Sequence, residues 1–265
     1  IIKGINEDSL PLITNDQILS DSSIPKSTKD DIKRSNDLLK NRQQLSQNMD
    51  LFYNVGYFLN TKLPSNIFNS IKYLKASTLS GHKVAIIDIA KILCTNAPDE
   101  ASLQIGIDVA NIAADLDLTE AFVILGNLYK EGKGVKKNIL MSAINFKVAA
   151  DRGDSKAMFE YATILMNFQT SLINKNDKKV IIFEAKKIVY DLEGKNSYFY
   201  EEARLTFDTV ENNEASLFVA KKYMEKALKK GCTESKEELK KINDNYEDII
   251  NPPPYFEELC KDVSE

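Results

Sequence analysis

Small residues recur along the middle of this chain at a fixed interval of 36 residues. One recurring position holds alanine and another holds glycine or aspartate: Ala85, Ala121 and Ala157 in the first set, and Gly81, Asp117 and Gly153 in the second. Alanine lets neighbouring helices approach closely, and glycine or aspartate tolerates the left-handed backbone that ends many helices. Because a single helical hairpin cannot bury its apolar side alone, hairpins that repeat in this way must stack on one another.

Apolar residues at helical spacing, separated by short breaks, predict helices along most of the chain. From Met49 onward these are expected near residues 49–62, 66–80, 84–95, 99–115, 119–131, 138–152, 155–168, 178–193, 198–211, 214–230 and 234–246. No segment shows a period of two, so we predict an all-α fold. The expected architecture is a right-handed α-solenoid of about five helix-turn-helix hairpins plus terminal helices.

Four regions are expected from these patterns. They are an extended or loosely ordered arm over 1–26, an N-terminal helix over 27–48, the repeat solenoid over 49–246 and an acidic, proline-containing tail over 247–265. Within the solenoid, Gly194 and Gly231 are expected to continue the turn position that Gly153 occupies, with an insertion around Gln169–Asn176.

One repeat unit carries a specific motif. Its residues are Ala121-x-x-x-Leu125-Gly126-x-x-Tyr129-x-x-Gly132-x-Gly134-Val135, followed by Phe146, Ala149, Ala150 and Gly153. This unit closely resembles a Sel1-like repeat, a helix-turn-helix relative of the tetratricopeptide repeat, and the resemblance covers roughly Met49–Asn245 in more degenerate form. The resemblance implies an adaptor that holds protein partners along a concave face. It implies neither catalysis nor a cofactor.

Charge and rare residue types disfavour several other classes of protein. With a net charge of −4, the chain has no excess of basic residues to form the basic face that nucleic-acid phosphates require. The single histidine, His82, and three widely spaced cysteines, Cys94, Cys232 and Cys260, match no familiar metal or catalytic spacing. We therefore expect no metal site, free thiols in a reducing compartment, and His82 exposed beside the turn at Gly81. No apolar run reaches the roughly 18 residues of a membrane span.

A glycine pair and several acidic pairs are interpreted as structural. The sequence Gly132-Lys133-Gly134 fits neither the phosphate-binding loop nor the dinucleotide fingerprint, so we interpret it as the turn of the repeat. Adjacent acids such as Glu237-Glu238 diverge by about 100° around a helix, so they are expected to line solvated faces.

One short motif near the end of the chain has a recognisable class of partner. Pro252, Pro253, Pro254 and Tyr255 match the P-P-x-Y pattern that WW domains bind. These four residues are the candidate partner-binding site. In the alternative interpretation the proline run ends the last helix, and Tyr255 with Phe256 packs back onto the array.

The expected function is a non-catalytic scaffold or adaptor that supports the assembly or stability of a multiprotein complex. A helical-repeat RNA-binding or translation-associated factor is the alternative, and a Sel1-like hydrolase is a third class. The chain begins at Ile1 without methionine, which is compatible with a removed mitochondrial presequence. We therefore expect the mitochondrial matrix, with the cytoplasm as the alternative.

Overall fold

The described part of the chain is built from α-helices. A computed structural model describes residues 19–40, 47–62, 67–169, 204–206, 209 and 213–245, and no strand occurs among them. The all-α prediction is therefore confirmed. The helices are α1 Lys26–Lys40, α2 Met49–Lys62, α3 Ile67–Leu79, α4 Lys83–Asn96, α5 Glu100–Asp115, α6 Thr119–Glu131, α7 Ile139–Asp151, α8 Ser155–Gln169, α9 Asn213–Lys229 and α10 Ser235–Asn245.

The bounds of α2 to α10 lie within one residue of those that apolar spacing predicts. The helix predicted near 178–193, most of the one near 198–211, and the turn residue Gly194 lie outside the described residues. Among the described helices none is both long and apolar enough to cross a membrane.

The chain divides into two compact units, Ile1–Ile124 and Leu125–Glu265, and the boundary falls inside α6. In the first unit, each of α1 to α4 packs against the next helix, and α2 also contacts α4. A core cluster lies among α1, α2 and α3, where Ile32, Phe52, Leu59 and Tyr73 are buried. Ile24, at the end of the predicted N-terminal arm, is buried in the same cluster.

Four helices end in the same hydrogen-bonded turn. The turn residues are Gly81, Asp117, Gly153 and Gly231, with φ of +104°, +64°, +98° and +90°. In each turn, the amide of this residue donates to the carbonyl three residues earlier, and the next amide donates to the carbonyl five residues earlier. This pair of bonds satisfies carbonyls that the helix end leaves open. The predicted turn role is thereby confirmed at the three positions of the 36-residue recurrence and at Gly231, which was expected to continue it.

Glycine permits a close approach between helices in the hairpins α2–α3 and α6–α7. A Cβ on Gly126 would lie 2.8 Å from a ring carbon of Phe146, and a Cβ on Gly56 would lie 2.8 Å from Leu74. A serine on the second helix of each pair donates to the carbonyl of that glycine: Ser142 to Gly126 and Ser70 to Gly56, at 2.8 and 2.7 Å. Ser70 and Ser142 both lie eleven residues before their turn residue, so the two hairpins share one packing register.

In the second unit, α9 packs antiparallel to α8 although residues 170–212 separate them along the chain. The rings of Tyr161 and Tyr223 meet edge to face with centroids 5.0 Å apart. A Cβ on Gly153, before α8, would lie 3.2 Å from Nζ of Lys230, after α9.

The register of α9 matches that of α3, α5 and α7. Residues eight, seven and four positions before the turn residue are buried in all four helices. In α9 these are Tyr223, Met224 and Ala227. By register and by packing, α9 is therefore the second helix of a hairpin whose first helix is α8.

Candidate functional site

The candidate residues Pro252, Pro253, Pro254 and Tyr255 lie outside the described residues. Cys260 lies there as well, whereas Cys94 and Cys232 are buried free thiols. Over the ranges that the structure describes, no group of three or more His, Cys, Asp or Glu side chains is arranged to hold a metal ion.

The Gly132-Lys133-Gly134 segment forms the turn between α6 and α7. Both glycines have positive φ, +74° and +68°, and the amides of Gly132 and Lys133 donate to the carbonyl of Leu128. The amide of Asn138 then donates to the carbonyl of Tyr129 and closes the loop. The interpretation of this segment as a turn is confirmed.

His82 is not the exposed surface residue that its position beside a turn predicts. Its side chain is only 19% exposed, and its ring stacks on Tyr53 with centroids 4.2 Å apart and planes 15° apart. The equivalent residue after the turn at Gly153 is Asp154. Its side chain accepts a hydrogen bond from the amide of Ala157 and caps α8. His82 precedes α4, but its side chain makes no hydrogen bond that caps this helix. Its ring packs against Tyr53 instead. The prediction for His82 was wrong because the neighbouring helix could not be known from the turn alone.

Tyr53 is the centre of a small polar and aromatic group on α2 and α4. Its hydroxyl donates to Oδ2 of Asp88 at 3.0 Å, and the ring of Tyr57 lies 6.0 Å from its own ring at an interplanar angle of 25°. Burial, and then the hydrogen bond to Asp88, raise the pKa of Tyr53 to about 12. Stacking and the hydrogen bond together hold the Tyr53 ring in one orientation.

The rim of this group is open to solvent. Tyr57 is 51% exposed, and both Met49 and Val84 are exposed apolar residues. Met49, Tyr53 and Tyr57 follow one another at intervals of four along α2, so they form one stripe. Asp50 lies beside the stripe with its side chain 77% exposed, and its Oδ1 is 3.8 Å from Nε2 of His82. We call this surface, made of Met49, Asp50, Tyr53, Tyr57, His82, Val84 and Asp88, the Tyr53 face.

The Tyr53 face was not found by sequence reasoning. The signal available was the i, i+4 spacing of Tyr53 and Tyr57, which occupy a different side of α2 from Phe52, Val55 and Leu59. Aromatic residues at helical spacing are usually core residues, and the contact of Tyr53 with Asp88 shows that Tyr53 borders a second helix.

A second polar group is buried in the other unit. Nζ of Lys147 lies 2.6 Å from Oδ2 of Asp151, and the two side chains are 2% and 5% exposed. Tyr223 donates from its hydroxyl to Oδ1 of the same aspartate. A buried lysine of this kind needs a carboxylate partner, since an unpaired ammonium would be strongly unfavourable there. The three buried side chains of this group connect α7 with α9.

No protein-family model matches the chain, and no curated protein is significantly similar to it in sequence.

Proposed function

We propose that this chain is a non-catalytic scaffold of the Sel1-like repeat type that holds protein partners and supports the assembly or stability of a multiprotein complex. The observation that carries the proposal is the repeated turn at Gly81, Asp117, Gly153 and Gly231. Helices that end alike and bury equivalent positions are typical of proteins built from stacked hairpins. Such proteins use an extended surface made by many repeats, rather than one pocket, to bind other proteins.

The distribution of exposed apolar residues gives further support. Met49, Tyr57, Leu79, Val84 and Leu116 are the large apolar residues that stand exposed in the described part of the chain, and all lie in the first unit. Of these, Met49, Tyr57 and Val84 belong to the Tyr53 face, and exposed apolar residues that form one patch are characteristic of interaction surfaces. We infer that the first unit carries a surface for a protein partner.

The right-handed solenoid and the mitochondrial matrix are parts of the same proposal. The free thiols Cys94 and Cys232 are compatible with a reducing compartment, of which the matrix and the cytoplasm are the two candidates. Fractionation of cells of the source organism, followed by protease treatment of intact and lysed mitochondria, separates these compartments. We expect the protease to degrade the chain only after the inner membrane is lysed. Recovery of the chain in the cytosolic fraction would favour the cytoplasm.

The scaffold proposal is tested by isolating the chain at its native level of expression under mild conditions. We expect it to co-migrate with defined proteins in a large species, and the species should persist after nuclease treatment. Depletion of the chain should then make those proteins separate or decline in amount. A chain that migrates alone, or a species that nuclease disperses, would contradict the proposal, and the second result would favour the RNA-binding alternative.

A further inference from the structure

We propose that the Tyr53 face binds an arginine side chain of a protein partner. This inference rests on the proposed scaffold function and specifies the chemistry of one binding surface. Three features of the face suit this ligand: oriented aromatic rings, two carboxylates and an exposed apolar rim.

The aromatic rings suit a planar cation. His82 and Tyr57 both lie nearly parallel to Tyr53, with interplanar angles of 15° and 25°. Tyr57 is half exposed, so part of its ring remains open to a ligand. A guanidinium group stacks on such a ring with its flat face and is attracted by the negative potential of the π system.

The carboxylates supply charge complementarity. Asp88 receives one hydrogen bond from Tyr53 at a single oxygen, and a carboxylate can accept several. Asp50 extends into solvent beside His82. Arginine is the side chain that combines ring stacking with directed hydrogen bonds to a carboxylate, whereas lysine offers a point charge. An RNA phosphate or an anionic membrane would be repelled by both aspartates.

The surface is arranged before the partner arrives. Tyr53 is held by its ring contact with His82 and by its bond to Asp88, so its side chain loses little freedom on binding. Met49 and Val84 offer exposed apolar contacts near the charged groups. A short partner segment with arginine flanked by apolar residues therefore fits this face.

The test uses the full chain and two capped tripeptides, acetyl-Leu-Arg-Leu-amide and the same peptide with neutral citrulline in place of arginine. Nuclear magnetic resonance of the aromatic rings reports binding, and the single histidine makes the His82 signals unambiguous. We expect the arginine peptide to shift the signals of His82, Tyr53 and Tyr57 in a saturable manner. The citrulline peptide should bind several-fold more weakly, and salt should weaken only the arginine peptide.

Three variants locate the site. Tyr57→Leu keeps an apolar side chain but removes the ring, and Asp88→Asn keeps an acceptor for Tyr53 but removes the charge. Tyr57→Leu and Asp88→Asn are each expected to lower the affinity for the arginine peptide by about threefold. Leu116→Ala, which truncates an exposed apolar residue of the same unit outside the face, should leave the affinity unchanged. The melting temperature of each variant verifies that it is folded.

Equal binding of the arginine and citrulline peptides, or unchanged affinity in Asp88→Asn, would overturn the assignment of arginine. A short RNA that shifts the same signals would also overturn it. Failure of this test together with a persistent native complex would leave the scaffold proposal intact, because that complex would then form through another surface. If the chain bound the arginine peptide but migrated alone in cells, the assignment of arginine would stand and the scaffold proposal would be contradicted.

Discussion

Tyr223 on α9 donates a hydrogen bond to Asp151 at the end of α7, across 72 residues of sequence. The same aspartate pairs with the buried ammonium of Lys147, so one carboxylate joins a charge on its own helix to a hydroxyl on a distant one. Tyr223 occupies the same register position as Tyr73, whose hydroxyl also bonds back to an earlier helix, at Asn36. In both cases the tyrosine hydroxyl joins two helices that are not neighbours along the chain.

Loss of Asp151 should be more harmful than loss of the whole ion pair. Asp151→Leu leaves the Lys147 ammonium buried without its carboxylate and is expected to cost about 3–5 kcal/mol in the free energy of unfolding. The double variant Lys147→Met with Asp151→Leu should be clearly more stable than the single variant, because no charge remains buried. Urea denaturation of both proteins measures the difference, and equal midpoints would show that Lys147 gains another partner or reaches solvent.

Gly126 should tolerate no side chain. Because a Cβ at this position would approach the ring of Phe146 to 2.8 Å, Gly126→Leu is expected to overpack the α6–α7 hairpin and cost about 1–3 kcal/mol. Glu131→Leu, at an exposed position at the end of the same helix, is the matched control and should change stability little. A thermal melt of Gly126→Leu that equals the control would contradict the close approach of the two helices.

Asp117 is the one residue with positive φ in the described turns that is not glycine. Asp117→Gly should stabilise the protein by about 0.5–1 kcal/mol, since glycine adopts this backbone without steric cost. The reverse exchange, Gly81→Asp, places a side chain in open space and tests backbone strain alone, so it should destabilise by a similar amount. If Asp117→Gly lowers the melting temperature, the aspartate side chain makes a contact that outweighs the strain.

Alkaline pH should unfold the protein in part through Tyr73. Burial raises the pKa of Tyr73 to about 12, whereas an unfolded tyrosine titrates near 10. The native state therefore keeps a proton that the unfolded state releases, and this contribution to stability is complete below pH about 10 and is lost as the pH rises through about 12. Denaturation curves across this range should fall more steeply for the wild type than for Tyr73→Phe. Identical pH dependence in the two proteins would show that the hydroxyl is accessible to water.

Tyr255 distinguishes the two interpretations of the Pro252–Tyr255 motif. If the segment packs back onto the array, Tyr255→Ala should lower the melting temperature, and we expect this outcome because apolar contacts would be lost. If the segment docks a WW domain, the variant should melt like the wild type and fail to bind a purified WW domain that the wild type binds.

Helix positions were predictable because they depend on local patterns. Apolar spacing located α2 to α10 within one residue, and the recurrence of Gly81, Asp117, Gly153 and Gly231 located the turns that end four of them. These features arise from helix periodicity and from the backbone freedom of particular residues, both of which are properties of short segments. The sequence also indicated correctly that Gly132 and Gly134 form a turn.

Partnerships between distant residues were decided only by the tertiary structure. His82 stands beside a turn, as its sequence position requires, but whether it is exposed depends on Tyr53, which belongs to another helix. Likewise, no local pattern shows that Lys147 is buried or that α9 packs on α8. The physical reason is that burial and pairing depend on the summed packing of several helices, whereas the amino-acid sequence by itself determines only where each helix begins, ends and is apolar.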